Sequence, residues 1–101
     1  MKLLQMIRGA DFQTYLYLNN TQYIIYVTDN KTNKKIYFEK FEIEENSIKL
    51  KLSKLDEFLD STILKIEKKL NSFIKNVYII LDSEEFHSIK LSIKKIIMEI
   101  L

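Results

Sequence analysis

The sequence contains no cysteine and no proline, and its single glycine is at position 9. Without cysteine there can be no disulfide, no thiolate zinc site and no cysteine nucleophile. One glycine cannot build a glycine-rich phosphate-binding loop. Because glycine is the usual residue at positive φ, we expect asparagine and aspartate to form the tight turns here. The absence of cysteine also fits a reducing compartment, so we expect a cytoplasmic protein.

Catalytic and metal-binding side chains are equally scarce. His87 is the only histidine, and in a strand it would point to the opposite face from its neighbour Ser88. A nucleophile needs a base within reach, and a metal ion needs several convergent ligands. The glutamate pairs at 44–45 and 84–85 are typical of solvated turns. We therefore predict no catalytic residue, no metal site, no cofactor, no small-molecule substrate and no enzymatic activity.

Length and charge set the class of protein. The chain has 101 residues, which predicts one domain covering 1–101. Hydrophobic residues make up 47% of it, enough for a core without disulfides. The net charge of +2 gives little long-range attraction to phosphate or anionic lipid. No apolar run approaches the roughly 20 residues of a membrane span, so we expect a soluble protein.

The first half of the chain has the pattern of β-strands. The apolar segment at 1–7 fits either a strand or a short helix. Tyr15–Leu18 and Gln22–Asp29 are rich in β-forming residues, and the Asn-Asn-Thr between them predicts a hairpin. A strand is predicted at Ile36–Ile43. Another is predicted at Ile48–Leu52, because apolar residues alternate there with lysines.

One long helix is predicted at about 54–75. Its apolar residues recur every three or four positions and form a single stripe: Leu55, Leu59, Ile63, Ile66, Leu70 and Phe73. Ser53 has the chemistry of an N-terminal cap, and Asn76 that of a left-handed exit. Val77–Leu81 is continuously apolar, which predicts a strand buried on both faces. We expect it to run parallel to Ile48–Leu52 in a βαβ unit.

The C-terminal segment fits two structures. Ile89, Leu91 and Ile93 alternate with polar residues, which favours a strand from His87 to Lys94 followed by a short helix. Apolar residues three or four positions apart favour a helix instead. With the strand included, the predicted fold is α+β: a mixed sheet of about five or six strands with the long helix packed on one face.

The order of these elements resembles the N-terminal region of FtsA-like bacterial cell-division proteins, which belong to the actin-like superfamily. The local similarity is greatest at Ser53–Leu59 and Asn76–Ser83. These segments are similar to the SHS2 module, which implies contacts with neighbouring subunits and division partners. ATP-binding members carry a motif like Asp-x-Gly-Thr in their first hairpin. The corresponding turn here is Asn-Asn-Thr-Gln at 19–22, which implies a member without nucleotide binding of its own.

The sequence therefore favours a protein–protein interaction module or a self-associating protein. The predicted contacts are Phe86, His87 and Lys90, at the start of the predicted C-terminal strand, since an exposed strand edge can pair with a partner. The alternative is a small nucleic-acid-binding protein that uses lysine-rich strand faces and strand aromatics such as Tyr37. Its candidate lysines form two patches: Lys49, Lys51, Lys54, and Lys90, Lys94, Lys95.

Overall fold

The computed structural model describes residues 11–101, and the segment at 1–7 lies outside them. The strands are β1 (Phe12–Leu18), β2 (Gln22–Asp29), β3 (Lys35–Glu42) and β4 (Val77–Leu81). The helices are α1 (Ile48–Leu70), α2 (Glu84–Ser88) and α3 (Lys90–Ile100). The α+β class is confirmed, but the sheet has four strands within 11–101 rather than five or six.

The sheet has the order β3-β2-β1-β4. β1, β2 and β3 form an antiparallel meander, and β4 lies parallel to β1 with Leu16 opposite Ile79. The strands alternate in burial, so odd- and even-numbered residues face different sides. One side of the sheet is covered by helices. The other side, here called the open face, carries no helix from residues 11–101.

Asparagine and aspartate form the turns, as expected for a chain with so little glycine. Asn19 Oδ1 accepts hydrogen bonds from the backbone N–H groups of Thr21 at 2.9 Å and Gln22 at 2.7 Å, which closes the β1–β2 hairpin. In the β2–β3 turn, Asp29 Oδ1 accepts from Lys31 N at 2.7 Å and Asn33 adopts φ 57°. The predicted hairpin is therefore confirmed, as is the expectation that asparagine and aspartate form the tight turns.

The prediction of a strand at Ile48–Leu52 is wrong, because α1 begins at Ile48, with Ser47 and not Ser53 as its N-terminal cap. The alternation would have buried Leu50, which is instead 52% exposed. Ile48 and Leu52 continue the helical stripe of Leu55, and the stem of Lys51 is buried. No parallel pair forms between this segment and β4, whose parallel neighbour is β1.

The long helix also ends earlier than predicted. Asn71, in the left-handed conformation at φ 50°, terminates α1, and Asn76 does not. Phe73 lies beyond the helix and is 79% exposed. The central stripe is confirmed, since its members pack into the core: Leu55, Leu59, Ile63 and Ile66.

The C-terminal segment is helical, so the predicted strand at His87–Lys94 is wrong. Ser83 Oγ accepts a hydrogen bond from Phe86 N and caps α2. Helical spacing prevails because it buries Phe86, Ile93 and Ile97 together and leaves Leu91 in solvent. A strand would have placed Leu91 beside Ile93 on the buried face.

Candidate interaction site

The predicted contact residues divide between the core and the surface. Phe86 is fully buried and packs edge-on against Tyr23, with the ring centroids 6.0 Å apart. His87 and Lys90 are exposed. Both line a shallow cavity of about 200 Å³ beside β4. The structure therefore places two of the three residues together at a surface site and assigns the third to the core.

We name this cavity the β4 cavity. Its apolar wall consists of Ile79, Leu81 and Ile93, and its polar rim of His87, Lys90 and Lys94. Its lining within 11–101 contains no carboxylate. No ion pair of Lys90 or Lys94 occurs in that part of the chain. The β4 cavity thus combines an apolar floor with positive charge.

β4 is an edge strand, since no strand among residues 11–101 pairs with its outer side. Its sequence is Val-Tyr-Ile-Ile-Leu, without a charge. Tyr78 and Ile80 project onto the open face and are 52% and 41% exposed. The prediction that this strand is buried on both faces is therefore wrong. Unpaired backbone groups beside apolar side chains can accept an added strand.

The opposite edge, β3, has a different composition. It contains Lys35, Glu39, Lys40 and Glu42 within its eight residues. Its pairing with β2 shifts register between Val27 and Thr28. Charged residues and irregular pairing are the features by which natural sheets prevent strand addition.

Polar contacts attach β3 to α1. Glu39 accepts hydrogen bonds from Thr62 Oγ1 at 3.1 Å and Tyr37 Oη at 2.7 Å, and Lys65 Nζ lies 3.6 Å from it. Burial raises the pKa of the Glu39 carboxyl, but these donors and the Lys65 charge outweigh it and lower the pKa overall. Burial and the bond to Glu39 raise the pKa of Tyr37 to about 12.

Aromatic rings cross the open face in one row. Phe38, Tyr26, Tyr15 and Tyr78 lie opposite one another on the four strands. Tyr15 stacks on Tyr26 at 4.8 Å and on Tyr78 at 5.6 Å between ring centroids. Lys35 Nζ lies 5.0 Å from the centroid of Tyr26. Both faces of Tyr15 are therefore covered by its neighbours, whereas Phe38 and Tyr78 at the two ends of the row are 53% and 52% exposed.

The lysines proposed for nucleic acid lie on helices and not on strands. Lys51 is 6% exposed, and its Nζ lies 2.8 Å from Glu85 Oε1. Its backbone carbonyl accepts a hydrogen bond from Tyr23 Oη at 2.6 Å. Lys51 thus joins α1 to the sheet and to α2, and is not available to a phosphate.

Lysines and carboxylates are distributed unevenly between the two ends of the sheet, although Asp29 lies in the lysine-rich β2–β3 turn and Lys51 pairs with Glu85 at the other end. One end of the sheet carries lysines around the β2–β3 turn and the start of β4: Lys31, Lys34, Lys35 and Lys75. The other end carries carboxylates around the end of β3 and β4: Glu42, Glu44, Glu45, Asp82, Glu84 and Glu85. At this acidic end Tyr17 donates a hydrogen bond to Asp82, which raises the pKa of Tyr17.

A second cavity, of about 370 Å³, lies at the basic end between β1 and the connection from α1 to β4. Its lining includes Phe12, Gln13, Asn30, Lys75 and Tyr78.

No group of three or more histidine, cysteine or carboxylate side chains suited to a metal ion occurs in the described part of the chain. None of the described helices is both long and apolar enough to cross a membrane.

No family model, curated protein or solved structure matches this chain.

Proposed function

We propose that this protein is a non-enzymatic interaction module that accepts an extended segment of a partner protein at β4. The observation that carries the proposal is the contrast between the two sheet edges: β4 is apolar and uncharged, while β3 carries four charged side chains. Pairing would extend the sheet through backbone hydrogen bonds. Side-chain contacts with Tyr78 and Ile80 on the open face would add apolar burial.

The cell-division role implied by the resemblance to FtsA-like proteins remains part of this proposal. An SHS2-like role in subunit contacts is compatible with strand addition at an exposed edge. The predicted βαβ unit from Ile48 to Leu81, on which much of the resemblance depended, is not formed. Support for this narrower function would come from localisation of a tagged chain at the division site.

Nucleic-acid binding is less well supported. Lys51 is engaged by Glu85, and both faces of Tyr15, in the middle of the aromatic row, are covered by Tyr26 and Tyr78, whereas stacking with bases requires free ring faces. Carboxylates at one end of the sheet would also repel a polyanion that followed its length. The lysines of the basic end are the feature that a nucleic acid would use.

The test is selection of displayed random peptides on the wild-type protein, followed by affinity measurement with synthetic peptides. We expect Ile80→Lys to weaken binding by at least about tenfold, because the lysine places a charge on the accepting edge. Leu64→Lys, on α1 at a site 53% exposed, is the matched control and should bind normally. N-methylation of alternate peptide amides should abolish binding, because it removes the backbone donors that pair with the edge.

Binding that is insensitive to both changes would contradict the proposal. A labelled single-stranded oligonucleotide is assayed in parallel. Tight binding of the oligonucleotide with a steep salt dependence would favour the nucleic-acid alternative instead.

A further inference from the structure

We infer that the segment accepted at β4 is acidic: an apolar side chain enters the β4 cavity, and carboxylates on either side of it pair with Lys90 and Lys94. This inference rests on the proposed strand-accepting role of β4 and specifies the chemistry of its partner.

The position of the β4 cavity brings it within reach of an added strand. The β4 cavity lies on the helix-covered side of the sheet, between Ile79 and Leu81 on β4 and Ile93 on α3. A strand added to the outer side of β4 would lie about 4.8 Å from it. Every second side chain of that strand would point to the same side as Ile79 and Leu81. One of those side chains would therefore reach the apolar floor of the cavity.

Charge selects the neighbours of that apolar residue. Lys90 and Lys94 are one helical turn apart on α3, and both residues line the cavity. Within residues 11–101 neither forms an ion pair, and no carboxylate lines the cavity with them; the carboxylates that follow β4, Asp82 and Glu84, lie outside its lining. Residues two positions before and after the apolar residue share its side of the strand. Acidic residues at those two positions complement the lysines.

The open face determines which residues are preferred at the two remaining positions of the added segment. Side chains between the apolar residue and its acidic neighbours would point to the side of Tyr78 and Ile80, both largely exposed. Aromatic and β-branched residues form the most favourable cross-strand pairs with such neighbours. The preferred partner segment therefore has five consecutive residues that are, in order, acidic, β-branched, large apolar, aromatic and acidic.

A second copy of this chain fits the site less well. Among residues 11–101, β4 is the uncharged apolar edge strand that a second copy could offer, and its residues on the cavity side are Val77, Ile79 and Leu81. None of them is acidic, so a second β4 would bring Lys90 and Lys94 of two copies together without carboxylates between them. The observations therefore favour a different protein as the source of the segment.

The experiment measures binding of a fluorescent peptide with the acidic pattern, and of the same peptide with lysine in place of both acidic residues. We expect the acidic peptide to bind at least about tenfold more tightly, and added salt to reduce the difference. The double variant Lys90→Glu with Lys94→Glu should reverse the preference. Lys95→Glu, an exposed charge reversal outside the cavity lining, is the matched control and should leave it unchanged.

The outcomes distinguish this inference from the proposed function. Equal binding of both peptides, sensitive to Ile80→Lys, would overturn the acidic specificity and leave strand addition standing. Binding of neither peptide, with no peptide selected by display, would overturn both. Sedimentation tests whether the chain forms dimers without peptide and whether Ile80→Lys disrupts them. Dimers with both properties would identify a second copy as the occupant of β4 and overturn the inference. Reversal of the preference by the double variant supports the inference, since a folding defect would weaken the binding of both peptides.

Discussion

Both edges of this sheet pack apolar side chains on the core, and β3 adds polar side-chain contacts to α1. β3 is attached to α1 through the carboxylate of Glu39, which meets Thr62 and Lys65. β4 is attached through apolar packing of Ile79 and Leu81 against the helix side, where Ile93 is fully buried. Charges along β3 disfavour an added strand, and their absence from β4 favours one. The comparison teaches that one sheet can close one edge chemically and leave the other open.

The largest effect should come from removing the apolar support of β4. Ile93→Ala deletes a fully buried side chain and should reduce the free energy of unfolding by about 3 kcal/mol, through lost burial and a residual cavity. Hydrogen exchange should increase most at the β4 amides. Leu91→Ala, two positions away and 76% exposed, should change stability by less than about 0.5 kcal/mol. Similar losses in chemical denaturation for the two variants would contradict the assigned packing.

The second prediction concerns a double variant that exchanges a charged residue of β3 for an apolar residue of β4. Lys40 and Ile80 end the same cross-strand row, which runs through Ile24 and Tyr17. The double variant Lys40→Ile with Ile80→Lys should lose peptide binding at β4 by about tenfold and acquire it at β3. Breaking the exposed Lys40–Glu42 pair, 3.3 Å apart, should cost little stability.

Hydrogen exchange with the peptide bound would locate the accepting strand. Protection of β3 amides in the exchanged variant would confirm that charge closes an edge. Continued protection of β4 amides would show that another property of β4 selects the partner. It would refute the claim that charge determines which edge accepts a strand.

The smallest effect concerns the polar attachment of β3. Thr62→Val preserves shape but removes the hydroxyl that donates to Glu39, and should cost about 1 kcal/mol near neutral pH. The pKa of Glu39 is lowered below 4.5 in the folded state, so its contribution is present above that value and is lost as the pH falls through the folded pKa. The stability difference between wild type and variant should therefore shrink in acid. A difference independent of pH in urea titrations would contradict this role of the carboxylate.

Local patterns predicted the parts of the fold that depend on neighbouring residues. The Asn19 turn and the central helical stripe follow from turn chemistry and helical periodicity. The strands of the first half follow from runs of β-forming residues, and the strand at Val77–Leu81 follows from a continuous apolar run. Short alternations were misleading. Ile48–Leu52 and Ile89–Ile93 each contain only three alternating apolar residues, and both segments also satisfy helical spacing with residues outside them.

The candidate site was only partly predictable. His87 and Lys90 were predicted as members of an exposed C-terminal edge strand, which is not formed; in the structure they lie on α2 and α3 and line a cavity beside another strand, β4. Lys94 and Ile79 were not singled out for the site, because nothing in the sequence joins two positions so far apart. The spacing of Lys90 and Lys94 on a helix was the available signal, and it was obscured by the choice of a strand there.

By itself, the sequence determined which segments alternate, which turns form without glycine, and which chemistries lack the necessary side chains. These properties depend on residues within a few positions of each other. Only the tertiary structure decided that β4 pairs with β1, that its outer side is an edge of the sheet formed by residues 11–101, and that two lysines of α3 lie beside that edge. Such relations arise from burying distant apolar faces together, and local periodicity carries no information about which faces will meet.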